Sequence, residues 1–335
     1  MREARSKLIV VLGPTAAGKT KLAVSLARKF GGEIISADSR QVYKGMDLGT
    51  GKDLAEYGLQ GPNLAENKAS GKASGGSRKP PGVRYHLIDI IGPKTPFNVA
   101  KYQKLAKRAI QDIESRNKLP FIAGGTGLYI DAVAKGFEFP EITEARAKKL
   151  GLIRKKLNKL SLDKLLAKLK KIDPASYDKI DRKNRRRVQR ALEIFYESGK
   201  TKSATDKQTP PDHDILILGV KFPLAELYRR IDARLEDRIR EGMVAEVKKL
   251  RKSGVSWKRL EEFGLEYRYV TRFLRGLITE KEMEEQLKSA IHHFAKRQLT
   301  WFKRDKSIVW VKDAKQAEKI VAAFLRKKSH KKRPA

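Results

Sequence analysis

Gly13-Pro14-Thr15-Ala16-Ala17-Gly18-Lys19-Thr20 stands between an apolar, β-branched run from Lys7 to Leu12 and a segment in which Leu22, Ala23, Leu26, Ala27 and Phe30 recur at helical spacing. The spacing G-x-x-x-x-G-K-[ST] gathers backbone N–H groups around phosphate oxygens, sends a lysine to them and offers a hydroxyl to Mg²⁺. The order strand, glycine loop, helix also aims unpaired N–H groups and the positive end of a helix dipole at an anion. Gly13, Pro14, Thr15, Ala16, Ala17, Gly18, Lys19 and Thr20 are therefore expected to grip a diphosphate, with Thr20 as the metal ligand.

One helix and one strand further on, Asp38 closes the apolar run Ile34-Ile35-Ser36-Ala37 and leads into Ser39-Arg40-Gln41. In open α/β sheets ligands bind at the carboxyl ends of the strands, which is where Asp38 would sit. A carboxylate there can bind magnesium, cap a turn or act as a base, and position alone leaves all three open. Gly124-Gly125-Thr126-Gly127 follows the apolar run Leu119 to Ala123 and reaches the same edge; by itself it reads as a tight turn or a binding loop.

Strand signals at Tyr85 to Ile90, Ile215 to Phe222 and Ser307 to Val311, with the helical face Val99, Tyr102, Leu105, Ala106, Ala109, Ile110 and Ile113, complete the alternation of strands and helices. The expected fold class is α/β: a P-loop NTPase-like parallel sheet core with an inserted α-helical domain. Residues 1–139 form the first part of the core and contain a mobile loop over 58–82, rich in Gly, Ser, Pro, Lys and Asn. Residues 140–199 are the Lys- and Leu-rich helical insertion, 200–325 the second part of the core with long helices, and 326–335 a basic disordered tail.

Lys and Arg number 75 against 39 Asp and Glu in 335 residues, a formal charge of +36, which implies a polyanionic partner. The chain has no cysteine, so disulfides, thiolate zinc sites and thiol nucleophiles are excluded. His86, His213, His292, His293 and His330 show no metal-ligand spacing, so Mg²⁺ on Thr20, phosphate oxygens and water is the metal expected. No run of about 18 apolar residues offers a membrane span, and no apolar signal core precedes the first strand, so a cytoplasmic location is the default. The arginine-dense stretch Asp181 to Arg190, with Arg186, Arg187 and Arg190, reads as an RNA contact. A second basic stripe, His292 to Arg304, mixes cations such as Lys296 and Arg297 with aromatics on one helix, where core packing is the competing reading.

Taken together, Gly13 to Thr20, Ile35 to Tyr43, Gly45-Met46-Asp47-Leu48-Gly49-Thr50, Ala123 to Tyr129, Arg187 to Glu193 and Ala295 to Phe302 resemble the tRNA dimethylallyltransferase family, in the family's order and over most of the chain. The resemblance implies transfer of a dimethylallyl group from its diphosphate to N6 of the adenosine just 3′ of a tRNA anticodon. It implies Asp38 as the general base, Thr126 as a contact to the target adenine, Arg230 as a diphosphate ligand and Arg234 as its companion. It further implies that Asp38, Ser39, Arg40, Gln41, Thr126, Arg186, Arg187, Arg190, Lys296, Arg297 and Gln298 meet tRNA, and that the helical insertion clasps the anticodon stem-loop. The implied partners are the tRNA anticodon stem-loop and dimethylallyl diphosphate, without a membrane, for a chain expected to act as a monomer. Two stretches depart from the pattern. Gly49-Thr50-Gly51-Lys52-Asp53 stands where the family often reads Gly-Thr-Ala-Lys-Pro, and Phe263-Gly264-Leu265-Glu266-Tyr267-Arg268 where many members have a Gly-Tyr pair. The rivals are a P-loop kinase, with Asp89 as a second metal ligand, and an RNA-binding ATPase.

Overall fold

The computed structural model describes residues 5–58, 82–140, 143–205 and 213–327. Apart from its end residues 58 and 82, the loop expected to be mobile lies outside the described residues, as does the basic tail beyond residue 327. Strand β1 (Ser6–Leu12) runs into helix α1 (Lys19–Lys29) and strand β2 (Gly32–Ser36). Gly18 caps α1 at φ 76, the left-handed region that glycine enters freely. Strand β3 (Tyr85–His86), helix α2 (Val99–Ser115), strand β4 (Leu119–Gly124) and helix α3 (Gly127–Ala134) follow. The strand expected over Tyr85 to Ile90 is thus only two residues long. Leu87 and Asp89 take φ 64 and 56, which no strand accommodates. Asp89 instead turns to Lys52, whose side chain is fully buried and also pairs with Asp47 at 2.7 Å.

Residues 135–210 form a compact unit of their own, slightly wider than the insertion read from the sequence. It holds α4 (Glu144–Asn158), α5 (Leu162–Ile172), α6 (Pro174–Lys179), α7 (Arg185–Ser198) and α8 (Lys202–Thr205). Thr143, Ser161, Asp173 and Asn184 cap the first four helices by accepting backbone N–H bonds from Arg146, Lys164, Ser176 and Arg187. Leu157, Leu165, Leu169, Val188, Ala191 and Leu192 make its core.

The other unit, residues 1–134 with 211–335, resumes at β5 (His213–Val220). It continues through α9 (Leu224–Arg240), α10 (Met243–Lys252), α11 (Trp257–Phe263), α12 (Leu265–Leu274), α13 (Glu280–Phe302), β6 (Val309–Val311) and α14 (Ala314–Arg326). The six strands lie in the order β3-β2-β4-β1-β5-β6, every pair parallel. Both faces of the sheet are covered, so the middles of β1 and β5, residues 8–12 and 215–218, are continuous apolar runs. Along β1, Ile9 and Val11 enter the core beneath α1 and the later helices, while Leu8, Val10 and Leu12 enter the one beneath α2 and α3. The α/β expectation therefore holds. Among the described residues no helix is long and apolar enough to cross a membrane.

Candidate active site

Three loops meet at the carboxyl edge of the sheet because three neighbouring strands end level. Leu12 pairs with Gly124 and Ser36 with Ala123, so the segments after β1, β4 and β2 start side by side. Ala37 N–H donates to the Ala123 carbonyl at 2.8 Å, and Thr126 N–H donates to the Ala37 carbonyl at 3.1 Å. Thr126 Oγ1 in turn accepts from Ser39 N–H at 3.1 Å, which puts the Thr126 hydroxyl one residue from Asp38. This close approach explains two of the glycines. A side chain at Gly124 would run into the Ala37 carbonyl, and one at Gly125 would stand 2.5 Å from Gln298 Nε2. Asp38 is half-buried; its Oδ1 accepts from Arg40 N–H at 2.8 Å, an Asx-type turn, and Oδ2 takes no hydrogen bond among the described residues.

At the phosphate loop, Gln298 of α13 acts as a staple. Its Oε1 accepts from Thr15 N–H at 2.9 Å and its Nε2 donates to the Gly125 carbonyl at 2.8 Å. Gln298 is only 7 % exposed, on the buried stripe of α13 with Ile291, Ala295 and Phe302. Its position on the helix turns it inward, where it joins two loops of the site. Burial lowers the Lys19 ammonium from 10.5 to about 8, opposed by the nearby Asp38 carboxylate and reinforced by Arg234. Arg230 reaches the same loop. Its Nη1 lies 3.9 Å from where a Cβ on Gly18 would stand, and its guanidinium packs over the Phe222 ring at 4.2 Å. Thr20, in the first turn of α1, is part-exposed. Among the described residues no three carboxylate or imidazole groups converge on a metal site. The Thr20 hydroxyl, with phosphate oxygens and water, is an all-oxygen donor set of the kind a hard divalent cation takes.

Several residues that shape the site carried no motif. Glu246 accepts the N–H groups of Asp47, Leu48 and Gly49 at 2.7, 2.8 and 3.1 Å, and the Tyr267 hydroxyl at 2.7 Å, so one carboxylate suspends the loop after β2. Arg259 donates to the Pro93 carbonyl at 3.0 Å and the Tyr43 hydroxyl at 3.1 Å while stacking 4.5 Å above Phe263. A lone Glu or Arg on an amphipathic helix looks like any solvated position, which is why sequence patterning passes over both.

The other candidates fall into two groups. Arg40 and Gln41 turn inward: burial lowers the Arg40 pKa, and Gln41 Nε2 donates to the Gly51 carbonyl at 3.0 Å. Lys296 and Arg297, the two residues just before Gln298 on α13, are exposed. In the helical unit Arg186, Arg187 and Arg190 are exposed on α7, and Arg190 pairs with the buried Glu193 at 3.1 Å.

Several known proteins resemble this chain. A family profile described as IPP transferase matches residues 70–305, and one described as isopentenyl transferase matches residues 6–63. The chain is 42% identical over 300 residues to tRNA dimethylallyltransferase 2 of Pelobacter propionicus, covering 90% of this chain and 86% of that protein. It is 43% identical over 297 residues to the enzyme of the same name from Trichlorobacter lovleyi, covering 89% and 88%. Among solved structures, the tRNA isopentenylpyrophosphate transferase of Bacillus halodurans superposes with a TM-score of 0.65 at 33% identity, covering 96% of each chain. A eukaryotic dimethylallyltransferase acting on tRNA superposes at 0.72 and 26% identity, covering 98% of this chain and 81% of that one.

Proposed function

The chain belongs to the tRNA dimethylallyltransferase family, and from this we infer that it moves a dimethylallyl group from dimethylallyl diphosphate onto tRNA, releasing diphosphate. The acceptor is N6 of the adenosine just 3′ of the anticodon. One observation carries this reading: a carboxylate with a free oxygen, Asp38, and a phosphate grip, Gly13 to Thr20 with Arg230, face one sheet edge and are tied together through Thr126, Gly125 and Gln298.

Adenine N6 is a weak nucleophile because its lone pair is delocalised into the ring, so its proton must leave as the C–N bond forms. Asp38 Oδ2 takes that proton, a contribution of about 10² to 10⁴ in rate. As the allylic C–O bond breaks, the bonding pair stays with the diphosphate. The N–H groups of Gly13 to Thr20, Lys19 and Arg230 hold the charge that gathers there. The family's divalent metal, Mg²⁺ in this reading, would sit on Thr20 and the diphosphate and supply further positive charge against the leaving group. Thr126, held by Ser39, orients the adenine, while Ser39, Arg40 and Gln41 shape the wall of the pocket. The adenine leaves the loop stack at a cost of a few kcal/mol. Arg186, Arg187 and Arg190, with Lys296 and Arg297, hold the anticodon stem-loop by its phosphates and shape. The chain works as a monomer in the cytoplasm.

A kinase needs a second acidic metal ligand near the phosphate loop. Asp89 lies beyond β3, at the sheet margin and separated from β1 by two strands, and is ion-paired with Lys52 at 2.5 Å. The test is to incubate the protein with Mg²⁺ and unmodified tRNA, plus either dimethylallyl diphosphate or ATP. One adenosine gaining a five-carbon unit with the first donor is the expected result. Phosphoryl transfer or ATP hydrolysis with no prenyl addition would overturn it.

A further inference from the structure

Helix α9 carries Arg230, Arg234 and Arg238 four residues apart, so one stripe of its surface is a row of guanidinium groups that begins at the phosphate loop. A single carboxylate, Asp53, serves two of them. Its Oδ2 is hydrogen-bonded to Arg234 Nη2, while its Oδ1 stops 3.7 Å from Arg238 Nη2, short of a hydrogen bond. That Arg238 nitrogen is buried without any hydrogen-bond partner, and Arg238 as a whole is only 9 % exposed. Burying a guanidinium donor unpaired is costly, so such an atom calls for an explanation.

Gly51 and Asp53 act on the same guanidinium pair. A Cβ at position 51 would stand 2.8 Å from Arg234 Nη2 and collide outright with Arg238. Gly51 thus makes the room and Asp53 supplies the charge. Arg234 is also close enough to the phosphate loop to lower the Lys19 pKa, as Asp53 is to raise it.

We propose that Asp53 parks Arg234 at the rim of the diphosphate site and that Arg238 takes over Asp53 when Arg234 turns to the leaving group, which makes Asp53 and Arg238 positioning residues. This rests on the diphosphate reading above. A diphosphate carries more charge than one carboxylate and outcompetes it for Arg234. Asp53 then needs only to close a 3.7 Å gap to reach a donor that is already buried and unpaired. Without Arg238, the same exchange leaves the exposed Asp53 carboxylate to water alone, beside Glu56, whose own carboxyl is already pushed up by burial and by Asp53.

Calorimetric titration of the whole protein with inorganic pyrophosphate and Mg²⁺ tests the handover, alongside kcat and KM for dimethylallyl diphosphate. Arg238→Met should weaken pyrophosphate about tenfold and raise KM to match, with kcat within about twofold, the scale of one charge-assisted hydrogen bond. Arg238→Lys, which keeps the charge but not the fork, should fall between. Asp53→Asn should bind pyrophosphate at least as well as the parent. The double variant should behave like Asp53→Asn, because once Asp53 is neutral Arg238 has nothing to receive. Unchanged affinity in Arg238→Met, or additive effects in the double variant, would overturn the handover, as would lowered melting temperatures with no change in affinity. Lys19→Ala separates the two claims. If it also binds pyrophosphate like the parent, the diphosphate reading fails rather than the handover.

Discussion

At the scale of single residues, Asp38 and Lys19 feel each other's charge but answer to different physics. Asp38 has one oxygen held by Arg40 N–H and one free, so Asp38→Asn keeps the turn and removes the proton acceptor. Its kcat should fall by about 10² to 10⁴ while tRNA affinity stays within about twofold; an affinity loss as large as the rate loss in filter-binding assays would contradict the assigned role. Lys19 is governed by burial, which brings it from 10.5 to about 8. Because the folded value is the lower one, the unfolded chain binds more protons across the interval between them. The burial cost is therefore felt in full below about pH 8 and relieved as pH climbs from about 8 to 10.5. A bound diphosphate favours the charged form, so its affinity should drop as pH rises through about 8, with proton uptake on binding. Calorimetry in buffers of different ionisation enthalpy, corrected for the ligand's own ionisation, reads both; a flat profile from pH 7 to 9.5 would count against a functional Lys19.

Helix α13 illustrates what an element adds that its residues do not announce. Thr279 and Glu282 start it with a reciprocal capping box, and its buried stripe delivers Gln298 to the seam between two glycine loops. Gln298→Ala removes both hydrogen bonds and leaves Thr15 N–H and the Gly125 carbonyl unmatched. It should cost about 1–3 kcal/mol of stability and raise KM for dimethylallyl diphosphate, read by denaturant unfolding and steady-state kinetics. A variant with normal KM would show that the staple does not order the phosphate loop. Helix α7 is different, since its inward residues Val188, Ala191 and Leu192 make a small core and leave Arg187 to solvent. Arg187→Ala should therefore fold normally, weaken tRNA binding and lessen its dependence on log salt by about one unit. An unchanged salt slope would remove Arg187 from the phosphate contacts.

For the whole molecule, the sheet and its covering were legible because a P-loop leaves little choice. Lys7 to Leu12, the glycine loop and the spacing from Leu22 to Phe30 fix a strand, a turn and a helix, and the alternation that follows fixes a parallel sheet. The length of β3 was not legible, since Leu87, Ile88 and Ile90 are as apolar as any strand. What stops it is the buried Lys52, 37 residues upstream, drawing Asp89 out of line. Glu246 and Arg259 escaped for the same reason: their importance lies in which distant backbone groups they meet. Gln298 was noticed, but its inward direction was not legible, because a basic neighbourhood says nothing about which side of a helix faces the core. Six strands running one way also make the core two-ended. The loops after β1, β2 and β4 leave one rim, whereas the exposed turn Asn117-Lys118 ahead of β4 lies at the opposite one. An immobilisation tether attached through a cysteine introduced at Lys118 should leave turnover intact, in a chain that has no other thiol. The same tether at Leu128, beside the Thr126 loop, should silence it.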